Sequence, residues 1–322
     1  MRQRILIIGS GAVGAVYARH LVNAGCQVNF LVRDRNSRNS AMPRTLWQYP
    51  LLGRPRASTQ HLRVLTRAYR HWDQVWLTLP SDALNSPWLA EQLAVFDADT
   101  PLISWTPDFR DDEKLRPLYR GPIQHGLIGL ISFQTPLPGT VSPGEGFGYL
   151  LPPRAAMLDN SKPGRQAAAL LRAGGLPAVA MKDLEWVSAR STALMVPAMA
   201  GLELAGWSLA EIRRGPWLGH ACQAAREATV IAAAYLGREA GFAAHLPQPV
   251  LMSLLSRLAP KVMPFPLETY LDYHFSKVGE QTRQMLAHWI EEGARRQLPH
   301  GALSTLLTGL DATPAVRLAG NG

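Results

Sequence analysis

The chain has 322 residues, room for two domains that each bury a core. Its 47% hydrophobic and 18% charged content excludes a disordered protein, no apolar stretch approaches the ~18 to 20 residues that span a bilayer, and two distant cysteines, Cys26 and Cys222, exclude a disulfide framework or a zinc site. The formal charge of +9 is scattered along the chain and carried almost wholly by arginine, so it points to an anionic cofactor or small-molecule substrate rather than to the concentrated basic face that nucleic acid needs.

Arg4-Ile5-Leu6-Ile7-Ile8 is an apolar run of strand length that enters Gly9-Ser10-Gly11-Ala12-Val13-Gly14 and then an amphipathic stretch ending near Asn23-Ala24-Gly25. This is the dinucleotide-binding fingerprint in its proper setting. Gly9 allows the tight turn, Gly11 lets backbone approach a pyrophosphate, and Gly14 lets helix and strand pack closely. The helix start, with its free N–H groups and positive dipole end, would hold the phosphates. Beginning on a strand rather than on a charged segment and an apolar run predicts a cytoplasmic protein.

Gln27 to Val32 is the second strand, and a dinucleotide's adenosine ribose belongs at its carboxyl end. An acidic residue there favours NAD; this chain has Arg33, with Arg35 and Arg38 close behind, and a guanidinium suits the 2′-phosphate of NADP. Asp34, one residue late, could still reach the ribose. The segment from Asn36 to about Ala57 is irregular; Leu46 to Tyr49 and His61 to Leu65 alternate in strand fashion and predict a small antiparallel excursion or a mobile lid over the adenosine.

Gln74 to Leu79 reads as a buried parallel strand stopped by Pro80, and Ser86-Pro87-Trp88 as a helix start that runs to Val95. Pro101 to Trp105 is the next strand. Ligands of open α/β sheets bind outside the carboxyl edge, which makes Leu79, Pro80, Ser81, Thr106 and Asp108 candidates for the nicotinamide side. Pro122 to Phe133 and Gly146 to Leu151 give further strands, and the dinucleotide domain is expected to end near Ala180, dividing 1–180 from 181–322. Helices follow: Asp183 to Ala205, closed by Gly206; Trp217 to Glu239, closed by Gly241; Pro247 to Leu258; Leu267 to Phe275; Gly279 to Gln297. The last dozen residues read as a frayed tail.

The fingerprint, the arginine after the second strand, the helix carrying Arg226-Glu227-Ala228 and the Trp186 to Pro197 stretch together resemble the ketopantoate reductase family over nearly the whole chain. The resemblance implies a Rossmann-type doubly wound parallel sheet followed by an all-helical domain like the C-terminal one of 6-phosphogluconate dehydrogenase, with NADP as cofactor, carbonyl reduction as activity and a homodimer as an assembly. It also shows departures. Where the family carries its proton-donating lysine stands Ser188; its substrate asparagines match Thr192 and Val196; its asparagine after a later strand matches Thr106, its lysine one strand earlier Pro80, and a glutamate before the last helix falls near Ser276. The cofactor half thus survives while the ketopantoate half does not.

Carbonyl reduction needs a hydride donor, an acid and substrate anchors. Of five lysines, Lys277 ends the densest titratable stretch of the helical half, and Tyr270, His274 and Lys277 share one helix face by spacing, as do Tyr273 and Lys277. Lys277 or His274 is then the acid, Tyr270 or Tyr273 its hydrogen-bond partner, and Ser188 a further catalytic candidate. Arg190 suits a substrate carboxylate. Thr192 and Ser276 could bind substrate, although helix hydroxyls also bond the preceding turn. Three functions follow: reduction of the carbonyl of a small, 2-oxo acid-like substrate other than ketopantoate; reduction of an imine, which already carries its proton; or retention of NADP by a binding module without catalysis.

Overall fold

The computed structural model describes residues 2–34, 43–245 and 247–312. Contacts divide the chain into two compact units, Met1–Ser188 and Ala189–Gly322.

In the first unit β1 (Arg4–Ile8) is buried on both faces, as a near-continuous apolar run in a parallel sheet must be. Ile5 and Ile7 face one core, with Tyr17 of α1 (Ala12–Asn23) and Trp76 and Trp105, while Leu6 and Ile8 face another, with Leu77, Leu89, Leu102 and Leu115. Tyr17 lies 4.3 Å from Trp105 and 5.6 Å from Trp76 between ring centroids, so three large aromatic rings pack under the sheet centre.

The remaining strands among the described residues are β2 (Gln27–Leu31), β3 (Arg44–Gln48), β4 (Arg56–Gln60), β5 (Arg63–Leu65), β6 (Gln74–Leu77), β7 (Leu102–Ser104), β8 (Ile123–Ile128), β9 (Ile131–Thr135), β10 (Gly146–Leu150), β11 (Ala156–Asp159) and β12 (Ala178–Met181). The main sheet has the order β12-β11-β8-β7-β6-β1-β2-β5. It is parallel from β8 through β5 and from β11 to β12, with one antiparallel step between β8 and β11. The direction of winding reverses between β1 and β6, the point where such sheets bind ligands. Helices α2 (Pro87–Leu93), α3 (Asp111–Leu115) and α4 (Lys162–Ala173) complete this unit, the last capped by Ser161, whose hydroxyl accepts from Gly164 N–H at 3.0 Å.

The antiparallel excursion expected after β2 forms, β3 pairing antiparallel with β4, but it is part of a larger second sheet of order β4-β3-β10-β9, in which β3 runs parallel to β10 and Leu46 pairs with Phe147. Gln60 of β4 donates to the Ala15 carbonyl at 3.0 Å, which ties this sheet to α1. Residues 63–65 belong instead to the edge of the main sheet, parallel to β2, because Asn29, Phe30 and Leu31 offer them a free ladder.

The polypeptide passes from the first unit to the second within α5 (Leu184–Leu204). The second unit is helical: α6 (Leu209–Arg214), α7 (Trp217–Tyr235), α8 (Pro249–Val262), α9 (Leu267–Phe275), α10 (Gly279–Arg295) and α11 (Gly301–Ala312). Alanines Ala221, Ala224, Ala225, Ala228, Ala232 and Ala233 keep α7 narrow enough to be buried among its neighbours. Helix α7 stops at Tyr235, four residues earlier than its pattern predicts, with Gly237 at φ +64° just beyond; residues 241–245 form a separate 3-10 turn. The expected tail lies outside the described residues except for Asp311 and Ala312, which finish α11.

Candidate functional site

The loop after β1 meets the conditions of a phosphate cradle. Gly9 has φ +105°, and a Cβ there would stand 2.9 Å from the Leu79 side chain. A Cβ on Gly14 would stand 2.5 Å from the Gly9 carbonyl oxygen, so the first turn of α1 can lie on the loop only without a side chain. Gly11, by contrast, faces open space. The turn is tied down by Gly9 N–H donating to the Leu31 carbonyl (3.1 Å) and by the Thr78 hydroxyl donating to the Gly9 carbonyl (3.1 Å). No side chain caps α1, and its first turn carries no acidic residue to compete with an anion.

Gly9, Ser10, Gly11, Arg33, Leu79 and Pro80 all line one cavity of about 300 Å³, together with Thr78 and Trp88. Ala12, Val13 and Gly14 form the helix start directly after the loop. Arg33 follows β2, half-buried, donating to the Ser86 hydroxyl at 2.9 Å and lying 5.8 Å from the centre of the Trp88 ring. Ser86 therefore uses its oxygen on Arg33 and makes no side-chain cap for α2, while Pro87 takes the first helical position. Asp34 is exposed, and Arg35 and Arg38 lie outside the described residues.

Sequence reasoning missed Arg44. From β3 its guanidinium donates to the Ser10 carbonyl and lies 5.2 Å from the centre of the Phe147 ring, bringing a second cation to the glycine turn. Its pairing depends on the second sheet, which no local pattern discloses.

At the ends of β6 and β7 the polar residues bind one another. The Ser81 hydroxyl donates to Asp111 at 2.6 Å, and Asp108 N–H donates to the same carboxylate at 3.2 Å. Burial, with Asp108 adding its charge, pushes the Asp111 carboxyl up against the opposing pull of Ser81 and Lys114. Ser81 and Asp108 therefore shape the loop before α3. Thr106 is half-buried, its hydroxyl 2.8 Å from that of Ser104, and it is not among the residues lining the cavity.

In the helical unit Tyr270 and His274 stack, 5.4 Å apart, and Lys277 Nζ lies 3.5 Å from the Tyr273 ring centre. The expected single face is thus two pairs, because Lys277 sits in the 3-10 turn 276–278 beyond the end of α9. Burial, then the charge of Lys277, lowers the His274 pKa to about 4, which leaves the ring neutral at pH 7 and unsuited to give up a proton. Burial likewise holds the Tyr270 phenol well above its usual range. Ser276 donates to Asp272 at 2.8 Å, the Thr192 hydroxyl donates back to the Ala189 carbonyl at 3.0 Å, Arg190 is exposed, and Ser188 is half-buried. A second cavity, of about 280 Å³, has almost wholly apolar walls including Leu202, Cys222 and Leu255, and none of these eight candidates lines it. Among the described residues no group of three side chains has metal-ligand geometry, and no helix is long and apolar enough to cross a membrane.

Residues 5–42 match the family model described as ketopantoate reductase PanE/ApbA. No curated protein sequence gives a significant match. Solved structures do. A PanE/ApbA family ketopantoate reductase from Ralstonia eutropha JMP134 is similar at TM-score 0.73 and 16% identity, covering 96% of this chain and 98% of the other. The dimeric ketopantoate reductase of Staphylococcus aureus gives 0.71 and 13%, with the same coverage. A D-mandelate dehydrogenase in complex with NADH gives 0.68 and 13%, again over 96% and 98%. At such identities the likeness is one of fold, and the fold is the expected one: a largely parallel α/β sheet followed by helices.

Proposed function

We propose that the chain is an NADPH-dependent oxidoreductase of the ketopantoate reductase kind, which reduces the C=O group of a small 2-oxo acid other than ketopantoate. The observation that carries this reading is the cradle after β1: Gly9 and Gly14 leave no room for a Cβ, while Gly11 faces open space beside a cavity that Gly9, Ser10, Gly11 and Arg33 line. A pyrophosphate fits such a turn, where helix N–H groups meet it without a side chain between. When bound, the reduced nicotinamide supplies the hydride. Arg33 is positioned for the 2′-phosphate, with Ser86 fixing one guanidinium nitrogen and leaving others to bind. A substrate other than ketopantoate is supported by Ser188, Thr192 and Val196 at the three resembling positions, since the Thr192 hydroxyl is already engaged and Val196 is buried. Lys277 and Arg190 are the exposed cations we assign to an anionic substrate group.

The test is Arg33→Ala. Loss of charge-assisted bonds worth ~1.5 to 3 kcal/mol should weaken NADPH about tenfold to a hundredfold, with NADH changed far less. Calorimetry with both nucleotides decides it: equal losses remove the NADP assignment, and no affinity of the wild type for either removes the enzyme. Turnover is read with a panel of 2-oxo acids and cyclic imines.

We also propose a homodimer. Leu251, Leu254, Leu258 and Val262 expose an apolar stripe along α8, 44 to 55% open to solvent, and one structural neighbour is dimeric. Leu254→Glu with Leu258→Glu should convert a dimer to a monomer in sedimentation; a wild type that sediments as a monomer ends the proposal.

A further inference from the structure

Several elements of the first unit converge on His125, the third residue of β8. Its Nε2 stands 3.1 Å from Oδ1 of Asp112 in α3, and its backbone N–H donates to Oδ2 of Asp159, the last residue of β11, at 2.9 Å. Glu185, in the first turn of α5, adds a third carboxylate field. Asp112 Oδ1 thus faces the ring, while its Oδ2 is held by Arg116 at 2.7 Å. Burial alone would depress the imidazole, but Asp112, Asp159 and Glu185 together outweigh it and hold His125 above its ordinary value. Asp112 moves the opposite way: its contact with His125 lowers it against burial. The His125 side chain is nevertheless 45% exposed, so a ligand can reach the ring.

Its place in the sheet gives this ring a use. The cradle occupies the carboxyl ends of β1, β2 and β6; β7 follows and ends at Ser104, next to Thr106. His125 of β8 is level with Ser104, one strand further along the same edge, and neighbouring strands lie about 4.8 Å apart. The register thus sets His125 beside the last residue of β7, two strands from the cradle's β6.

We propose that His125, held by Asp112 and by the Asp159 bond to its backbone, is the proton donor of the reduction. This rests on the reductase reading above. The carbonyl carbon takes the hydride with its electron pair, the C=O π pair moves onto oxygen, and that oxygen takes the proton of His125 Nδ1. The ring is left neutral with its Nε2–H still facing Asp112, and solvent returns the lost proton. Asp112 and Asp159 are positioning residues.

His125→Asn and Asp112→Asn, made in the full chain, test this. Ring titration by nuclear magnetic resonance, which needs no cofactor, should place wild-type His125 above ordinary histidine and lower it in Asp112→Asn. His125→Asn should bind NADPH with wild-type affinity and melt within error of the wild type. Its kcat with pyruvate, 2-oxoisovalerate or phenylglyoxylate should fall ~10² to 10⁴-fold. Because the donor must be protonated, wild-type kcat should drop as pH rises through the His125 value, a limb that moves to lower pH in Asp112→Asn and vanishes in His125→Asn. Wild-type turnover by His125→Asn, an unmoved alkaline limb, or a ring that titrates at the ordinary value overturns the proposal. If the ring titrates as expected but the wild type binds no NADPH, the reductase reading is what has failed, and the donor role falls with it.

Discussion

Gly14→Ala is expected to damage both stability and cofactor binding, whereas Gly11→Ala, three residues away, is expected to damage binding alone. The added methyl at position 14 would stand 2.5 Å from the Gly9 carbonyl oxygen and 2.8 Å from the Thr78 hydroxyl. Thr78 can rotate, at the cost of its bonds to the Ile8 and Gly9 carbonyls, but the carbonyl of Gly9 cannot withdraw, because Gly9 N–H is bonded to Leu31 and its φ of +105° is already committed. Helix α1 must then lift from β1, against a core in which Tyr17 is wedged between Trp76 and Trp105. Overpacking of this kind costs about 1 to 3 kcal/mol, or roughly 2 to 10 °C in melting temperature for a unit of this size. The same lift removes the helix N–H groups from the phosphates, so NADPH affinity should fall at least about a hundredfold, the size of losing one or two charge-assisted hydrogen bonds. At position 11 the φ of −71° suits alanine and the methyl meets nothing, so melting should be unchanged while the phosphate path is blocked. Thermal melts with calorimetry separate the two; a Gly14→Ala protein that melts and binds like the wild type would show that close helix to strand contact is not what the glycine provides.

These two glycines also show why part of the molecule was legible in the sequence. The turn after β1 is determined within eleven residues, and its three glycines have separate local causes, so strand, turn, helix and second strand could be read directly. The second sheet could not be read in this way. Leu46 pairs with Phe147 about a hundred residues later, and neither segment's alternation names its partner. Arg44 was missed for that reason, since only the β3 to β10 pairing brings it to Ser10. Of the two acids expected in the helical half, burial disfavours one: spacing put Tyr270, His274 and Lys277 together, yet a helix face says nothing of desolvation, which leaves His274 neutral. His125 carried no signal at all, because its three carboxylates come from α3, β11 and α5.

Glu227→Ala is expected to loosen the helical unit more than any other single change to a charged side chain there. Sequence reasoning noted Glu227 only as part of a resembling helix; its work is to close α11. From the middle of α7, 7% exposed, its carboxylate accepts Ala302 N–H at 2.9 Å and Leu303 N–H at 3.1 Å, the second and third residues of α11. The anion thus meets both unpaired amides and the positive end of the helix dipole, away from water. Alanine leaves those amides buried without acceptors, a cost of ~1 to 3 kcal/mol each, and forfeits up to about 2 kcal/mol of charge to dipole attraction, so a total near 3 to 4 kcal/mol is expected after partial relaxation. Glutamine keeps the length and one acceptor oxygen but turns an NH₂ group toward the amides, and should cost roughly half as much. Amide exchange supplies the local readout: Ala302 and Leu303 should lose protection in Glu227→Ala while the amides of β1 and α1 keep theirs. Uniform loss of protection over both units would mean that Glu227 acts through global stability and not through the start of α11.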